Sequence, residues 1–196
     1  MSATRDTSIR SYRAKRDFAV TAEPPPGAVH GASAPIFVVQ KHAAHRAGLH
    51  WDFRLEHGGV LWSWAVRKGP SLDPADKRIA AHVEDHPLDY ADFQGSIPDG
   101  QYGAGKVETW DRGTWQPLAD PEAGMRKGDL TFVLRGTRLS GRFHLVRLKP
   151  KPGARSRQDA WLLFKGHDEF ERVGADAAAI EAATKPPATP TRPAAP

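Results

Sequence analysis

Residues 49–56 read LHWDFRLE, and their apolar and polar side chains alternate. Successive side chains of a β-strand point to opposite faces of the sheet, so His50, Asp52 and Arg54 would share one face. The tryptophan, the phenylalanine and the following leucine would share the other face. The stretch therefore predicts a strand that buries its apolar face in a core and presents imidazole, carboxylate and guanidinium groups on its polar face.

A second strand-like run precedes this one. Residues 36–42 read IFVVQKH, in which Gln40 and His42 share a face. With His50 and Asp52, His42 would give a metal ion two nitrogens and one oxygen and leave positions open for water or substrate. Manganese, zinc and iron(II) all suit such a set. A phosphate beside this cation and Arg54 would have its charge neutralised, as phosphate ester chemistry requires.

Short strand-like runs separated by turns continue along the chain. They lie at 36–42, 49–56, 59–66, 78–84, 105–111, 130–136, 141–149 and 160–165. Helical periodicity is weak, with one or two helical turns expected at 121–127 and a short helix at 176–184. The pattern predicts a mainly β fold, an antiparallel barrel or sandwich of about eight strands.

The composition divides the chain into a body and two flanks. Residues 1–35 form a basic segment, with a short helix or a flexible tail at 10–17, and a Pro-rich linker. The compact domain is expected at 36–172. Residues 173–196 form an Ala- and Pro-rich tail whose end, from Lys185 onward, should be disordered.

Charge and residue content bound the function. The 196 residues include 28 Lys and Arg against 23 Asp and Glu, a net charge of +5 that favours anionic partners such as nucleic acid. There is no cysteine, which excludes thiolate catalysis, Cys-rich zinc sites and disulfides. Neither a signal peptide nor an apolar run long enough to span a membrane is present, so we expect a cytoplasmic protein.

Further candidate site residues follow the third strand. Lys68 and Arg78 would add positive charge beside a phosphate. His86, at the lip of a strand, can protonate a leaving oxygen near neutral pH, or bind the metal or the phosphate. Tyr90 can donate a hydrogen bond to a phosphate oxygen, and Glu84 can orient a metal-bound histidine.

Two other patterns point to structure instead of chemistry. Residues 100–106, GQYGAGK, have the spacing of a phosphate-binding loop, but Val107 stands where a hydroxyl must bind magnesium and no apolar strand precedes. We predict a Gly-rich β-turn there. Trp62 and Trp64 share a strand face and are expected to be core anchors, since base-stacking aromatics usually sit among basic neighbours.

Several strings together resemble the 3′-phosphoesterase domain of bacterial DNA ligase D. They are FVVQKH at 37–42, LHWDFRLE at 49–56, SWAV at 63–66, KGPSLDP at 68–74, EDHPLDY at 84–90, GAG at 103–105 and WDRGTW at 110–115. The resemblance runs from about Tyr12 to Phe170, and strings of this length are very specific.

The resemblance implies a disc-like β-barrel with a few short helices and a divalent metal, typically manganese, with zinc or cobalt as alternatives. Proteins of this family trim DNA 3′ ends during end joining, on recessed or ribonucleotide-containing ends. They remove a terminal ribonucleoside by phosphodiester cleavage and then the remaining 3′-phosphate, which leaves a 3′-hydroxyl.

The resemblance also assigns roles to individual positions of this sequence. The metal would be held by His42, His50 and Asp52. The scissile phosphate would be engaged by Arg54, Lys68, Arg78, His86 and Tyr90. Activity would be supported by Arg16, Asp17, Glu23, Gln40 and Glu84.

The chain departs from the family pattern in two ways. The family usually has five residues between its two metal-binding histidines, whereas seven residues, 43–49, separate His42 from His50 here. The extra residues should lengthen a turn, and they bring His45 as an alternative ligand to His42. The sequence also contains neither the Lys-x-Asp-Gly of a ligase nor a polymerase segment. It therefore looks like a stand-alone version, with any ligase, polymerase or end-binding protein supplied by another chain.

Two other functions remain open at this stage. The chain can be a non-catalytic DNA-end binding module whose site the insertion has degraded, although binding alone would need only the basic groups. Two histidines and a carboxylate also form the triad of non-haem iron oxygenases, which the family strings disfavour. Whether the chain is an enzyme or a DNA-binding module, we expect the basic segment 1–20 to bind the duplex next to the reacting end. Such a protein would be associated with the nucleoid.

Overall fold

The structure is a computed structural model that describes residues 3–26, 34–149 and 159–185. In these parts of the chain the strands are β1 Ile36–Ala44, β2 Gly48–His57, β3 Val60–Val66, β4 Arg78–His82, β5 His86–Pro87, β6 Gly95–Ile97, β7 Gly105–Pro117, β8 Asp129–Gly136, β9 Ser140–Arg147 and β10 Ala160–Lys165. The helices are α1 Ala3–Ala14, α2 Pro121–Lys127 and α3 Ala177–Ala183, with a short 3₁₀ helix at Leu88–Asp92.

Eight strands close into an antiparallel barrel, as the sequence predicted. Their order is β1-β2-β3-β4-β10-β9-β8-β7, and β7 pairs again with β1. Closure removes the exposed sheet edges that a sandwich would have to protect. All eight predicted runs are strands. The two short strands that were not predicted lie outside the ring, where β5 pairs with β3 and β6 pairs with β7.

Alternation along the strands separates the barrel interior from its outer face. On β2, Trp51 and Phe53 belong to the large interior cluster, and so do Trp62 and Trp64 on β3. The prediction that these two β3 tryptophans anchor the core is confirmed. Because side chains alternate, His50 and the other polar residues of β2 point to the outer face of the barrel.

A second buried cluster lies on that outer face. Residues 83–98, here called the cover segment, contain β5, the 3₁₀ helix and β6. Tyr90 and Phe93 of this segment pack with Val38 of β1, Leu61 of β3 and Tyr12 of α1. The cover segment and the N-terminal helix therefore enclose part of the outer barrel wall, including its polar residues.

The predicted helices are confirmed at 121–127 and 176–184. Asp120 caps α2 by accepting a hydrogen bond from the Glu122 amide, Pro121 opens the helix, and Gly128 ends it at a φ of 82°. Ala177 and Ile180 of α3 pack into the barrel core. The short helix expected at 10–17 is confirmed in part: α1 includes residues 10–14, but it begins earlier, at Ala3, and ends at Ala14.

The flanks of the barrel are described only in part. Residues 27–33 of the predicted linker and residues 186–196 of the predicted disordered tail lie outside the described residues. The division of the chain at 35 and 172 stays a prediction. Among the helices that the structure describes, none is long and apolar enough to pass through a membrane.

Candidate metal and phosphate site

The candidate site is a cavity of about 810 Å³ on the outer face of the barrel. Its floor is the polar face of β1 and β2, with Ala65 of β3 beside it. Its walls come from the tip of the β1–β2 hairpin, the loop at 98–104, the cover segment and residues 15 and 16. The cavity therefore gathers side chains from four separate parts of the sequence.

Three buried side chains on this floor form a candidate metal group. His42 on β1 is paired in register with His50 on β2, and Asp52 follows two residues later on the same face. One ligand atom from each of the three residues lies within 4.8 Å of the others. His42 Nδ1 is 3.4 Å from Asp52 Oδ2, and His50 Nε2 is 3.7 Å from Asp52 Oδ1.

Backbone carbonyls hold the rings of both histidines in place. His42 Nε2 lies 2.8 Å from the Gly103 oxygen, and His50 Nδ1 lies 3.0 Å from the Gly48 oxygen. A carbonyl only accepts, so each of these nitrogens carries the hydrogen. The other ring nitrogens, His42 Nδ1 and His50 Nε2, face Asp52. Metal-binding histidines commonly have this second hydrogen bond, so the residues present fit a divalent cation.

Asp52 is held as an anion. Burial is the largest single effect and favours the neutral acid, but the Arg54 guanidinium, whose NH2 lies 3.2 Å from Oδ2, acts together with His42 and His50 to keep the pKa of Asp52 well below its ordinary value. A carboxylate that stays charged without a bound cation is ready to ligate one.

Arg54 is fixed by the barrel wall. Its Nε donates to Gln40 Oε1 at 2.8 Å and its NH1 donates to Ser63 Oγ at 2.8 Å, while the side chain is 2% exposed. The Gln40 amide in turn donates to the backbone oxygens of Tyr90 and Phe93 at 3.0 and 2.9 Å. Gln40 thus joins the guanidinium to the cover segment. Three hydrogen-bonded or paired N–H groups leave two of the five guanidinium donors for an anion.

His86 and Tyr90 stand on the cover segment side of Arg54. His86 Nδ1 lies 2.9 Å from the Glu84 oxygen, so it carries the hydrogen, and His86 Nε2 faces Arg16 NH2 at 3.4 Å. Burial, and after it the charges of Arg54 and Arg16, hold the pKa of His86 well below its ordinary value. Burial raises the pKa of Tyr90, whose ring lies 4.8 Å from the Arg54 guanidinium. Both residues are therefore neutral near pH 7.

The N-terminal candidates hold Arg16 in place. Arg16 Nε donates to Glu23 Oε1 at 2.8 Å, and Glu23 also accepts from the Thr21 hydroxyl at 3.0 Å. The Asp17 carboxylate points elsewhere and accepts from the Ala19 amide at 3.0 Å, which closes the turn after α1. Arg16 and Glu23 thus belong to the site's surroundings, whereas Asp17 shapes the chain that carries Arg16.

The Glu84 carboxylate pairs with two cations instead of with His42 or His50. It pairs with Lys15 at 3.0 Å and with Arg16 at 3.6 Å. Burial favours the acid form, but the hydrogen bond from Lys15 and the nearby charges lower the pKa of Glu84. The backbone carbonyls of Gly103 and Gly48 take the orienting role that the sequence interpretation gave to Glu84.

Lys68 and Arg78, both described in the structure, do not line the cavity. Arg78 shares a strand face with the core residue Ala80 and pairs with Asp76 at 2.6 Å. Lys68 lies exposed in the turn after β3. The motif placed both beside the phosphate, but strand alternation turns Arg78 toward the interior face of the barrel.

The lengthened hairpin keeps the two histidines opposite each other. Ala44 and Gly48 are its last pair, so the turn itself is the three residues 45–47. A two-residue insertion in a hairpin adds one residue to each strand and therefore preserves register and facing. His45 points to Asp99, with Nδ1 2.6 Å from Oδ1, and lies outside the metal group.

Sequence reasoning missed several residues that line the cavity or support its side chains. Ser63, which fixes Arg54, had a readable signal, because it faces outward on β3 and pairs in register with Arg54. Gly103 belongs to the predicted Gly-rich turn, which is confirmed, but nothing in the pattern placed its oxygen on His42. Lys15, Arg46 and Tyr102 line the cavity through tertiary folding alone.

The fold and the site define a class: a closed antiparallel barrel with a candidate metal and phosphate site on its outer wall. Comparison with known proteins then gives the family. The model of the DNA ligase D 3′-phosphoesterase domain matches residues 40–147, and the chain belongs to this family. The resemblance drawn from the sequence is confirmed.

The relatives are much longer proteins. "Multifunctional non-homologous end joining protein LigD" of Pseudomonas aeruginosa is 54% identical over 162 residues, which cover 82% of this chain and 19% of the relative. "Multifunctional non-homologous end joining DNA repair protein LigD" of Mycobacterium tuberculosis strain H37Rv is 47% identical over 144 residues, covering 71% of this chain and 18% of the relative. The chain thus spans about a fifth of the length of these curated relatives.

Proposed function

We propose that this protein is a metal-dependent phosphoesterase that processes DNA primer 3′ ends in repair by end joining. It removes a 3′-terminal ribonucleoside by phosphodiester cleavage and then the 3′-phosphate, leaving a 3′-hydroxyl. One observation carries the proposal: the buried His42, His50 and Asp52 group lies beside the fixed Arg54 guanidinium in one cavity. A module that only binds DNA needs basic groups, not a buried metal-ligand set.

The cation in this proposal would be held by His42 Nδ1, His50 Nε2 and an oxygen of Asp52. Manganese suits this mixed set of nitrogen and oxygen donors, and zinc or cobalt are alternatives. When bound, such an ion neutralises charge on the phosphoryl oxygens and lowers the pKa of a water molecule. Family membership and the adjacent arginine favour phosphoester chemistry over the oxygenase reading of the same three ligands.

The remaining residues act on the phosphate. Arg54 offers its two unused N–H groups, held in direction by Gln40 and Ser63. The Tyr90 hydroxyl stays protonated and donates a hydrogen bond to a phosphate oxygen. We propose no phosphate contact for Arg78 or Lys68 in this arrangement.

His86 responds to the substrate's charge. In the free protein the nearby Arg54 and Arg16 charges help to keep His86 neutral. A phosphate placed among these arginines offsets their charge, so the pKa of His86 rises when substrate binds. His86 then holds a proton at Nε2 for the leaving oxygen, which is the general-acid role that the sequence suggested.

The biological setting is part of the same proposal. The names of the relatives place those proteins in non-homologous end joining. We extend this setting to the present chain, with recessed or ribonucleotide-containing DNA 3′ ends as substrate and a ligase, polymerase or end-binding protein as partner. The net charge of +5 agrees with such a substrate, and we propose a cytoplasmic, nucleoid-associated location for the chain.

The test uses a 5′-labelled primer–template with one 3′-terminal ribonucleotide. The wild type with manganese should shorten the primer to a 3′-phosphate and then to a 3′-hydroxyl. EDTA and His50→Ala should both abolish the products. His167→Ala is the matched control, because His167 is an exposed histidine that does not line the cavity. Retained primer binding without cleavage under any divalent metal would instead identify an end-binding module.

A further inference from the structure

We infer that Tyr102 is a stacking platform for the nucleobase next to the phosphate bound in the cavity. This inference rests on the proposed function, because it takes a nucleic acid end as the occupant. Tyr102 lines the same cavity as the candidate metal group, and 51% of its surface is exposed. Tyr12 and Tyr90, also near the cavity, are buried at 0% and 2% exposure. Tyr102 is thus the tyrosine, within the described residues, whose ring is available at the cavity mouth.

The loop that carries Tyr102 is fixed to the barrel on both sides of the ring. Asp99 pairs with His45 at 2.6 Å, and the Ala104 oxygen accepts from the His45 amide at 2.9 Å. Two turn hydrogen bonds of 3.2 Å, from the Gln101 amide and the Ala104 amide, close the loop internally. An aromatic ring presented half exposed by such a fixed loop loses little conformational entropy when a flat ligand stacks on it.

The surroundings of the ring have the character of a nucleic acid site. Lys15 Nζ lies 4.7 Å from the ring centroid, and the Arg16 guanidinium lies 5.7 Å from it. Proteins that hold single nucleic acid strands combine aromatic platforms for the bases with cationic groups for the backbone. Arg46, also on the cavity wall, makes no hydrogen bond or ion pair within the described residues and is available to a neighbouring phosphate.

A purely structural role for Tyr102 makes a different prediction. In that role the ring would only support Lys15 and Arg16, and its loss would weaken every DNA ligand to the same degree. A stacking role instead couples the ring to one base. Removing the base should then make Tyr102 dispensable, which a double-mutant cycle between protein and DNA measures.

The experiment measures the Kd of a primer–template ending in a 3′-phosphate, in EDTA so that no cleavage occurs. Two DNA forms are compared, one natural and one abasic at the 3′-terminal nucleotide, and the abasic position is then moved one nucleotide inward. For the wild type, removal of the stacked base should weaken binding by about 5- to 150-fold. Tyr102→Ala should weaken binding of the natural DNA by a similar factor and bind the abasic form no more weakly than the wild type does.

Two variants keep this result specific. Tyr102→Phe preserves the ring and should behave as the wild type. Phe170→Ala removes another exposed aromatic residue, 44% exposed and away from the cavity, and should change neither affinity. If the effects of Tyr102→Ala and base removal simply multiply at both abasic positions, the stacking inference is wrong.

The same proteins and DNA, assayed for cleavage with a divalent metal in place of EDTA, separate this inference from the proposed function. Coupling between Tyr102 and the base without cleavage in any divalent metal would contradict the proposed phosphoesterase activity and support the stacking role of Tyr102. Cleavage without coupling would contradict the stacking role of Tyr102 and support the proposed phosphoesterase activity. Failure of the wild type both to bind and to cleave the primer–template would overturn both.

Discussion

At the residue scale, the site depends on which nitrogen of each histidine carries its hydrogen. Backbone carbonyls decide this for His42 and His50, and the Glu84 carbonyl decides it for His86. The sequence predicted the metal group because strand alternation alone places His50 and Asp52 together. It could not predict the carbonyl partners, since Gly103 lies 61 residues from His42. It also could not distinguish His42 from His45 without the hairpin's register.

His86 gives the residue scale a pH test. In the folded protein the pKa of His86 is well below its ordinary value near 6.5. Below pH 6.5, His86 is therefore protonated in the unfolded chain but stays neutral in the folded chain. Stability is therefore lost as pH falls through this window. Burial lowers the pKa of His82 and His144 as well, so the wild type has several such contributions.

We expect His86→Gln to flatten the pH dependence of the unfolding free energy by at most about 1.4 kcal/mol per pH unit between pH 6.5 and 5. Urea unfolding of the wild type and the variant at three pH values measures the slope. His167→Gln, at an exposed position, serves as the control. An unchanged slope in His86→Gln would show that His86 does not resist protonation in the folded state.

At the element scale, each barrel strand was readable because its alternating pattern spans five or more residues. The strands β5 and β6 have two and three residues, too few to show a period, and were missed. The motif-based placement of Arg78 failed to reach the cavity because β4 turns Ala80, and with it Arg78, to the interior face. Alternation within the strand was the stronger indicator at that position.

The seam between β1 and β7 gives the element scale its stability test. A Cβ on Gly105 would lie 2.2 Å from the Ala43 oxygen, one residue from His42. Gly105→Ala must therefore push β7 away from β1. Gly95 has nearly the same φ as Gly105, +144° against +145°, but its Cβ would meet nothing within 4 Å, so Gly95→Ala isolates the cost of backbone strain.

We expect Gly105→Ala to lower the free energy of unfolding by about 1–3 kcal/mol more than Gly95→Ala does. Urea denaturation followed by tryptophan fluorescence measures the difference. Equal losses of unfolding free energy in the two variants would mean that β7 can move away from β1 without destabilising the protein.

At the scale of the whole molecule, chain segments far apart in sequence build one cavity on the barrel wall. The N-terminal segment is part of this assembly, because Tyr12 is fully buried in the outer cluster and Arg16 reaches His86. The sequence indicated only a basic segment that binds the DNA duplex, and this binding stays a prediction. No local pattern shows that residues 12–23 fold against residues 84–90.

Arg16 is the test at this scale. Arg16→Lys keeps the charge but cannot direct separate N–H groups to both Glu23 and His86. We expect turnover on the primer–template to fall by about 100-fold, since small misplacements of catalytic groups have effects of this size. Arg13→Lys, at an exposed position on α1, is the matched control. Equal turnover in the two variants would show that Arg16 does not contribute to the activity of the site.

The most direct test of the central claim measures metal occupancy and hydrolysis on the same samples. Metal-free protein is titrated with manganese while bound metal and 3′-end cleavage are followed together. We predict one ion per chain and cleavage that rises in proportion to occupancy. Both should be lost in Asp52→Asn, while His45→Ala should retain the bound ion. Cleavage by metal-free protein, or undiminished manganese binding by Asp52→Asn, would contradict the account.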